Sequence, residues 1–342
     1  MSAQISPEVQ ELHEQIIIID GHCDTLLNIQ AGLLDFGKGF TPTEESKNES
    51  RGEISHIDLA RMQAGGITTQ VFASFVEMRY LPSDATNQAL RLFDHFYKTL
   101  EENAAQFDQV TNAAEIEATK KNGKVSGMLS LEGVESLEGD LAILRNFHRL
   151  GIRQVGLTWN WRNQAADGLF EARTGGGLTE FGVELVKECN RLGIILDIAH
   201  LSPPGVRDIF ELSEQPIVDS HCGAGGVTNH MRNLSDEQLD RMAKNGGVVC
   251  VTFVPNFINE DGDKATIEDV LNHIDYISKR IGVDHVGIGS DFDGFGGYLP
   301  GVEDASKMPM LTAGLIKRGY SPEDTTKVMG GNYLRVIREV CG

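Results

Sequence analysis

The chain has 342 residues but only five cysteines: Cys23, Cys189, Cys222, Cys250 and Cys341. The number is odd and no two stand in a Cys-x-x-Cys pair. A disulfide framework is therefore excluded as the basis of the fold, and a reducing compartment is expected. Basic residues are scarce as well: 30 Lys and Arg stand against 50 Asp and Glu, a formal charge of −20. Such a surface repels phosphate backbones and anionic bilayers, which sets aside nucleic-acid and membrane-surface binding. No apolar run approaches the ~20 residues that a bilayer-spanning helix needs. Residues 1–8 carry neither a basic nor a long apolar stretch, so no secretory signal is read there and a cytoplasmic location is expected. Pro/Ser-rich linkers, repeats and low-complexity tracts are missing, and the whole of 1–342 is expected to form one domain. Gly-x-Gly-x-x-Gly is also missing after the first apolar run, which argues against an open dinucleotide-binding sheet.

What is present is a series of short apolar runs. Hydrophobic residues make up 40% of the chain, enough for a sizeable core. Runs at 16–19, 67–75, 125–131, 152–158, 194–198, 216–219, 247–253 and 285–289 read as strands. Between nearly all of them lie helical patterns, at 57–66, 84–119, 141–150 and 179–192, from 202, from 235 and at 266–281. Ser202, Ser235 and Thr266 stand at helix starts, Thr179 reads as an N-cap, and two more helices fill the tail. Residues 30–55, rich in Gly, Ser, Glu and Lys, read as a long surface excursion. Alternation of this kind implies a parallel sheet with helical crossovers, and eight units imply closure into a (β/α)8 TIM barrel, an α/β fold.

In such barrels the active site lies where strand C-termini open into loops. His22 and Asp24 follow the first run, Glu132 the third, His200 the fifth, His221 the sixth and Asp291 the eighth. Each alone has an ordinary structural reading, as a cap, a turn or a buried histidine. Together at one barrel mouth they suggest a metal centre. Three imidazoles and two carboxylates suit zinc better than calcium or magnesium. Five ligands exceed the needs of one catalytic zinc, whereas two ions sharing a bridging carboxylate would use them all. His56-x-Asp58 repeats the opening spacing but precedes a helix, and is assigned to capping and surface. Cys23 and Cys222 flank the proposed ligands and are assigned to packing.

The motifs Asp20-Gly21-His22-Cys23-Asp24-Thr25, Leu131-Glu132-Gly133, Asp197-Ile198-Ala199-His200-Leu201-Ser202, Asp219-Ser220-His221-Cys222 and Gly289-Ser290-Asp291-Phe292-Asp293-Gly294 together resemble the membrane (renal-type) dipeptidase family of the amidohydrolase superfamily. The likeness extends to Gly330-Gly331-Asn332-Tyr333-Leu334-Arg335. It implies a metallodipeptidase with two Zn2+ per chain, His22 and Asp24 on one ion, His200 and His221 on the other, and Glu132 bridging. A hydroxide held between the ions would attack the peptide carbonyl, and Asp291 would carry the proton to the leaving amine. Arg232 matches the family arginine that contacts the substrate, and a guanidinium suits the C-terminal carboxylate of a dipeptide. Trp159 stands where well-known members carry a histidine thought to position the scissile carbonyl. It keeps an N–H donor but cannot change charge. Phe257 stands where relatives have a tyrosine. The resemblance also implies a homodimer. Two other readings are another amidohydrolase, acting on N-acyl amino acids or cyclic amides, and a metal-binding barrel without catalysis. The retained Asp291 argues against the latter.

Overall fold

Short β-branched runs cannot bury both faces alone, and the helices between them carry one apolar stripe each. Closing the strands into a barrel and ringing it with helices satisfies both. A computed structural model, which describes residues 5–41 and 54–342, shows this arrangement. The barrel strands are β1 (Ile19–Cys23), β2 (Thr69–Phe75), β3 (Val125–Glu132), β4 (Ile152–Gly156), β5 (Ile195–Asp197), β6 (Val218–Cys222), β7 (Val248–Val251) and β8 (Val286–Ile288). All neighbouring pairs are parallel, and β1 pairs with both β2 and β8, which closes the ring.

The outer layer follows from helical spacing. The helix Ala85–Glu102 buries Ala89, Leu92, Phe93 and Phe96, positions that share one face of a 3.6-residue repeat. Caps form where side-chain oxygens meet the free N–H groups of a first turn. Thr179, Ser202 and Thr266 accept such bonds, and Ser235 with Gln238 makes a reciprocal capping box. The barrel floor is filled separately. Tyr333, Leu334, Val336 and Ile337 of the C-terminal helix Asn332–Cys341 pack against Ile19, Val71, Met128, Ile195, Val218 and Val248, early residues of six strands. With the floor plugged, the open end is the other one, where the strands end.

Four readings from the sequence need correction. The first strand starts at Ile19, not at 16, and runs through His22 to Cys23; β6 likewise runs on to Cys222 and includes His221. Residues 84–119 are not one helix. A turn after Glu102, the short strand Phe107–Gln109 laid parallel on the start of β3, and an N-cap at Asn112 divide the stretch. The excursion at 30–55 is only partly a surface feature. Leu34 and Phe36 are buried, and Phe36 packs against Phe72 and Phe107. The remainder of that reading, 42–53, lies outside the described residues. A helix at Pro7–Gln15, unread in the sequence, buries His13 against Thr312 and the Gly65 carbonyl.

The strands pack closely at the mouth. A Cβ on Gly289 would lie 1.7 Å from the Ser220 carbonyl oxygen and 2.8 Å from Cys250 Cβ, both fixed in the barrel wall. Gly289→Ala is expected to cost about 1–3 kcal/mol through overpacking, read as a lowered midpoint of urea unfolding. An unchanged midpoint would show that β8 can shift freely there.

Candidate metal centre

The strand ends deliver their polar residues to one buried spot. His22 lies within β1, and Asp24 stands just beyond it as the N-cap residue of Thr25–Gln30. Glu132 ends β3 and His221 lies within β6. His200 and Asp291 follow β5 and β8 in left-handed backbone, with φ of 65° and 63°. Such values are uncommon outside glycine, and residues held there cluster at functional sites. Here they swing an imidazole and a carboxylate back over the barrel mouth.

Glu132 is the hub. One of its oxygens lies 3.4 Å from His22 Nε2 and the other 3.1 Å from His200 Nε2. His200 Nε2 and His221 Nε2 face each other at 2.9 Å, and the rings of His22 and His221 stack with centroids 3.9 Å apart. Asp291 reaches within 3.8 Å of His22 Nε2. Donor atoms of His22, Glu132 and His221 lie within 4.8 Å of one another, as do those of His22, Asp24 and Asp291. All six residues are buried. Gly294 makes room for this crowding, since a Cβ there would stand 2.0 Å from an Asp291 oxygen and 2.6 Å from an Asp24 oxygen.

The donor set fits metal ions on structural grounds. His200 Nδ1 lies 2.8 Å from Asn160 Oδ1, so it carries the proton and leaves Nε2 as a lone pair aimed at the cluster. His221 Nδ1 is engaged by the Ser220 hydroxyl at 2.8 Å, which turns its Nε2 the same way. Both nitrogens of His22 and one oxygen of Glu132 make no hydrogen bond among the described residues. Buried polar atoms without partners are costly in an ordinary core, and here they converge. The two sets share His22 and only one includes Glu132, whose two oxygens face His22 and His200.

Electrostatics follow from the packing. Burial alone would depress the His22 imidazole, but Glu132, Asp24 and Asp291 overturn that and hold it up at about 10. Burial would raise Glu132, yet His22 and His200 outweigh it and keep it below the usual carboxylate range. Burial and the Arg232 charge lower His200 to about 4. Burial, with His22 and Arg232, pushes His221 well down. Burial, reinforced by Asp24 and Glu132 against the pull of His22, lifts Asp291 to about 8. Four groups are thus poised apart: His200 and His221 neutral, Glu132 ionised and His22 charged.

Arg232 and Trp159 flank the cluster. Arg232 is buried, donates from Nη2 to the His221 carbonyl at 3.0 Å and lies over the Phe257 ring. Trp159 sits between Phe75 and His200, at 5.2 and 6.1 Å between ring centroids. His56 does not belong to the cluster, and neither does it lie on the surface. It is fully buried, accepts at Nδ1 from the Asp293 amide and bonds the Gly297 carbonyl through Nε2. It thereby ties down the loop that carries Asp291. Asp58 does cap its helix, accepting from Arg61 N. Cys23 and Cys222 are buried in the layer between barrel and helices. Sequence reasoning missed Asn160, Ser220 and the acids Asp20, Asp197 and Asp219. One signal could have found the acids: each stands two or three residues before a site histidine.

Comparison with known proteins gives the family. Residues 6–341 match the profile of "Membrane dipeptidase (Peptidase family M19)". The chain belongs to the membrane dipeptidase family. Among its relatives, dipeptidase tcpJ of Claviceps purpurea is 34% identical over 332 residues, spanning 94% of this chain and 76% of tcpJ. The solved structure of the M19 metallopeptidase dipeptidase AC superposes with a TM-score of 0.84 at 33% identity, covering 96% of this chain and 99% of that one. A metallopeptidase of Rhodobacter sphaeroides, solved with a phosphinate mimic of the dipeptide L-Ala-D-Ala, gives the same TM-score at 31% identity, covering 95% and 99%. Membership of this family makes the chain a metal-dependent dipeptidase with a small peptide substrate, on a (β/α)8 barrel. Among the described residues no helix is long and apolar enough to cross a membrane.

The charge states give a direct check. In metal-free protein at pH 7, 15N shifts should show His22 as imidazolium and His200 and His221 as neutral rings. A neutral His22 at that pH would contradict the pairing with Glu132.

Proposed function

We propose that the chain is a binuclear zinc dipeptidase, built as a single barrel unit over 1–342, in which His22 and Asp24 hold one ion, His200 and His221 the other, and Glu132 bridges. The observation that carries this reading is the Glu132 carboxylate, with its two oxygens turned to two different imidazoles at 3.4 and 3.1 Å. When bound, the ions supply a hydroxide at neutral pH and polarise the peptide carbonyl.

The remaining steps belong to this chain's own side chains. Asp291 takes the proton released as the nucleophile adds to the carbonyl. It returns that proton to the amine nitrogen as the C–N bond breaks, so one carboxyl serves first as base and then as acid. Its burial suits this work, because a carboxylate raised by burial is a stronger base than a solvated one and so takes up the proton more readily. Arg232 receives the C-terminal carboxylate of the dipeptide; its Nε makes no hydrogen bond among the described residues, which leaves a buried donor for substrate. Trp159 offers its indole N–H to the carbonyl oxygen and, unlike a histidine, does so with no dependence on pH. The phosphinate-bound Rhodobacter relative supports short dipeptides, including those with a D-residue second, as substrates to try. The reading also includes a homodimer, on the family resemblance, and a cytoplasmic setting, supported by five unbridged cysteines.

Two substitutions test the roles separately. Asp291→Asn should retain both ions and lose most turnover, on the order of 10²–10⁴-fold for a lost general acid–base, in kcat on a small dipeptide. Near-normal kcat would remove Asp291 from the chemistry. Glu132→Gln should lower the zinc content from two ions per chain towards one or none, measured by elemental analysis after desalting. Two ions still tightly held would show that the bridge is misassigned.

A further inference from the structure

The eight seams of the barrel are not equally closed. The seams β1–β2, β2–β3, β3–β4, β4–β5, β6–β7 and β7–β8 each have at least three residues in register. Two seams have a single register pair within their strands: Asp20 with Ile288 between β1 and β8, where one isolated bridge, Cys23 with Phe292, follows beyond the end of β8, and Asp197 with Val218 between β5 and β6. These are the seams whose strands and following residues carry the candidate ligands other than Glu132. His22 and Asp24 come from β1 with Asp291 beyond β8. His200 comes from the end of β5 and His221 from β6.

At both weak seams the paired residue is a buried aspartate, and each aspartate closes the gap that the ladder leaves. Asp20 Oδ1 accepts from Ser290 N at 2.8 Å and from His22 N at 3.3 Å, while Oδ2 takes the Ser290 hydroxyl at 2.5 Å. Asp197 Oδ1 accepts from Ala199 N and from Ser220 N, both at 3.0 Å. Its Oδ2 takes Gln154 Nε2 at 3.0 Å, and Gln154 is in turn bonded by the Tyr333 hydroxyl from the barrel floor. One oxygen thus gathers two backbone amides from the two sides of a seam. The amides belong to His22 itself and to the residues just before Asp291, His200 and His221. Asp219 is buried in the same layer, but one of its oxygens has no partner and it joins no two strand ends. The arrangement is therefore specific to Asp20 and Asp197 and does not belong to any acid placed before a histidine.

We infer that Asp20 and Asp197 are positioning residues, each spanning one poorly paired seam and setting the spacing of the ligands on that seam alone. A carboxylate suits the task because hydrogen bonds from N–H groups to an ionised acceptor are short and directional. The backbone pairs of the other ladders do not use either carboxylate, although Asp197 also reaches Gln154 of β4. Loss of Asp197 should therefore free the His200 and His221 pair, and loss of Asp20 the His22 and Asp24 pair. This inference rests on the binuclear reading above.

The test is zinc retention by the full chain after desalting, beside thermal melting of the zinc-free protein. Wild-type protein should hold two ions, and Asp20→Ala and Asp197→Ala one each, all three folded with cooperative melting. Asp20→Asn and Asp197→Asn should restore two, since an amide oxygen can still accept the backbone N–H groups and the Ser290 or Gln154–Tyr333 partners can reverse their donors. Double variants identify the ion lost. Asp197→Ala with His200→Ala should still hold one ion, whereas Asp197→Ala with Asp24→Ala should hold none. Two ions in Asp197→Ala would overturn the inference and leave the binuclear reading intact. So would loss of both ions from each alanine variant, asparagine variants no better than alanine, or alanine variants that do not fold. A wild-type chain that holds no zinc would overturn both readings.

Discussion

A carboxylate buried among imidazoles is the constraint to which the rest of the molecule answers. Glu132 lies at the bottom of the barrel mouth with histidines on two sides, in a place where an isolated charge would be prohibitive. Such a group persists only if its oxygens are engaged, and both are aimed at nitrogens brought from other strands. Those nitrogens are themselves crowded, with His200 and His221 facing each other and His22 stacked on His221. Each polar atom is tolerated because of the next. A barrel is the scaffold that can deliver them, because eight strand ends meet on one ring.

The price of that convergence shows in the strands. The residues that form the site occupy strand positions that an ordinary core would give to valine or isoleucine. Ladders are shortened where β1 meets β8 and where β5 meets β6. His200 and Asp291 adopt left-handed backbone. The compensation lies elsewhere: in the plugged floor around Tyr333, in the long β2–β3 ladder from Thr69 to Phe75, and in helices capped by Thr179, Ser202, Ser235 and Thr266. Strain at the mouth and regularity below it are two parts of one design.

The same division explains what could be read from the residues alone. Helix caps and apolar stripes are local, so Ser202, Ser235 with Gln238, and the run at 266–281 were legible. Eight strands were legible in number and order, and with them the barrel. Their ends were not. Hydropathy halts a strand at the first polar residue, yet Asp20 and His22 are inside β1 because Ser290, some 270 positions later, satisfies Asp20. His221 was left outside β6 for a similar reason, with Asp197 of β5 binding the residue before it. The helical pattern across 84–119 gave no sign of the short strand at Phe107–Gln109, which exists because β3 offers it an edge. The five candidate ligands and the proton carrier could be picked out because their chemistry is unusual at strand ends. The residues that orient them could not, since Asn160, Ser220 and His56 acquire their meaning only from partners distant in the chain or aligned by the fold.

The central claim is that Glu132 joins two ions held by ligands from opposite sides of the barrel. It is tested most directly by crystals of the zinc-loaded protein, with anomalous diffraction recorded on both sides of the zinc absorption edge. Two peaks should appear, one among His22, Asp24 and Glu132 and the other among Glu132, His200 and His221, with the Glu132 carboxylate between them. A single peak, or two peaks with Glu132 turned away from either, would contradict it.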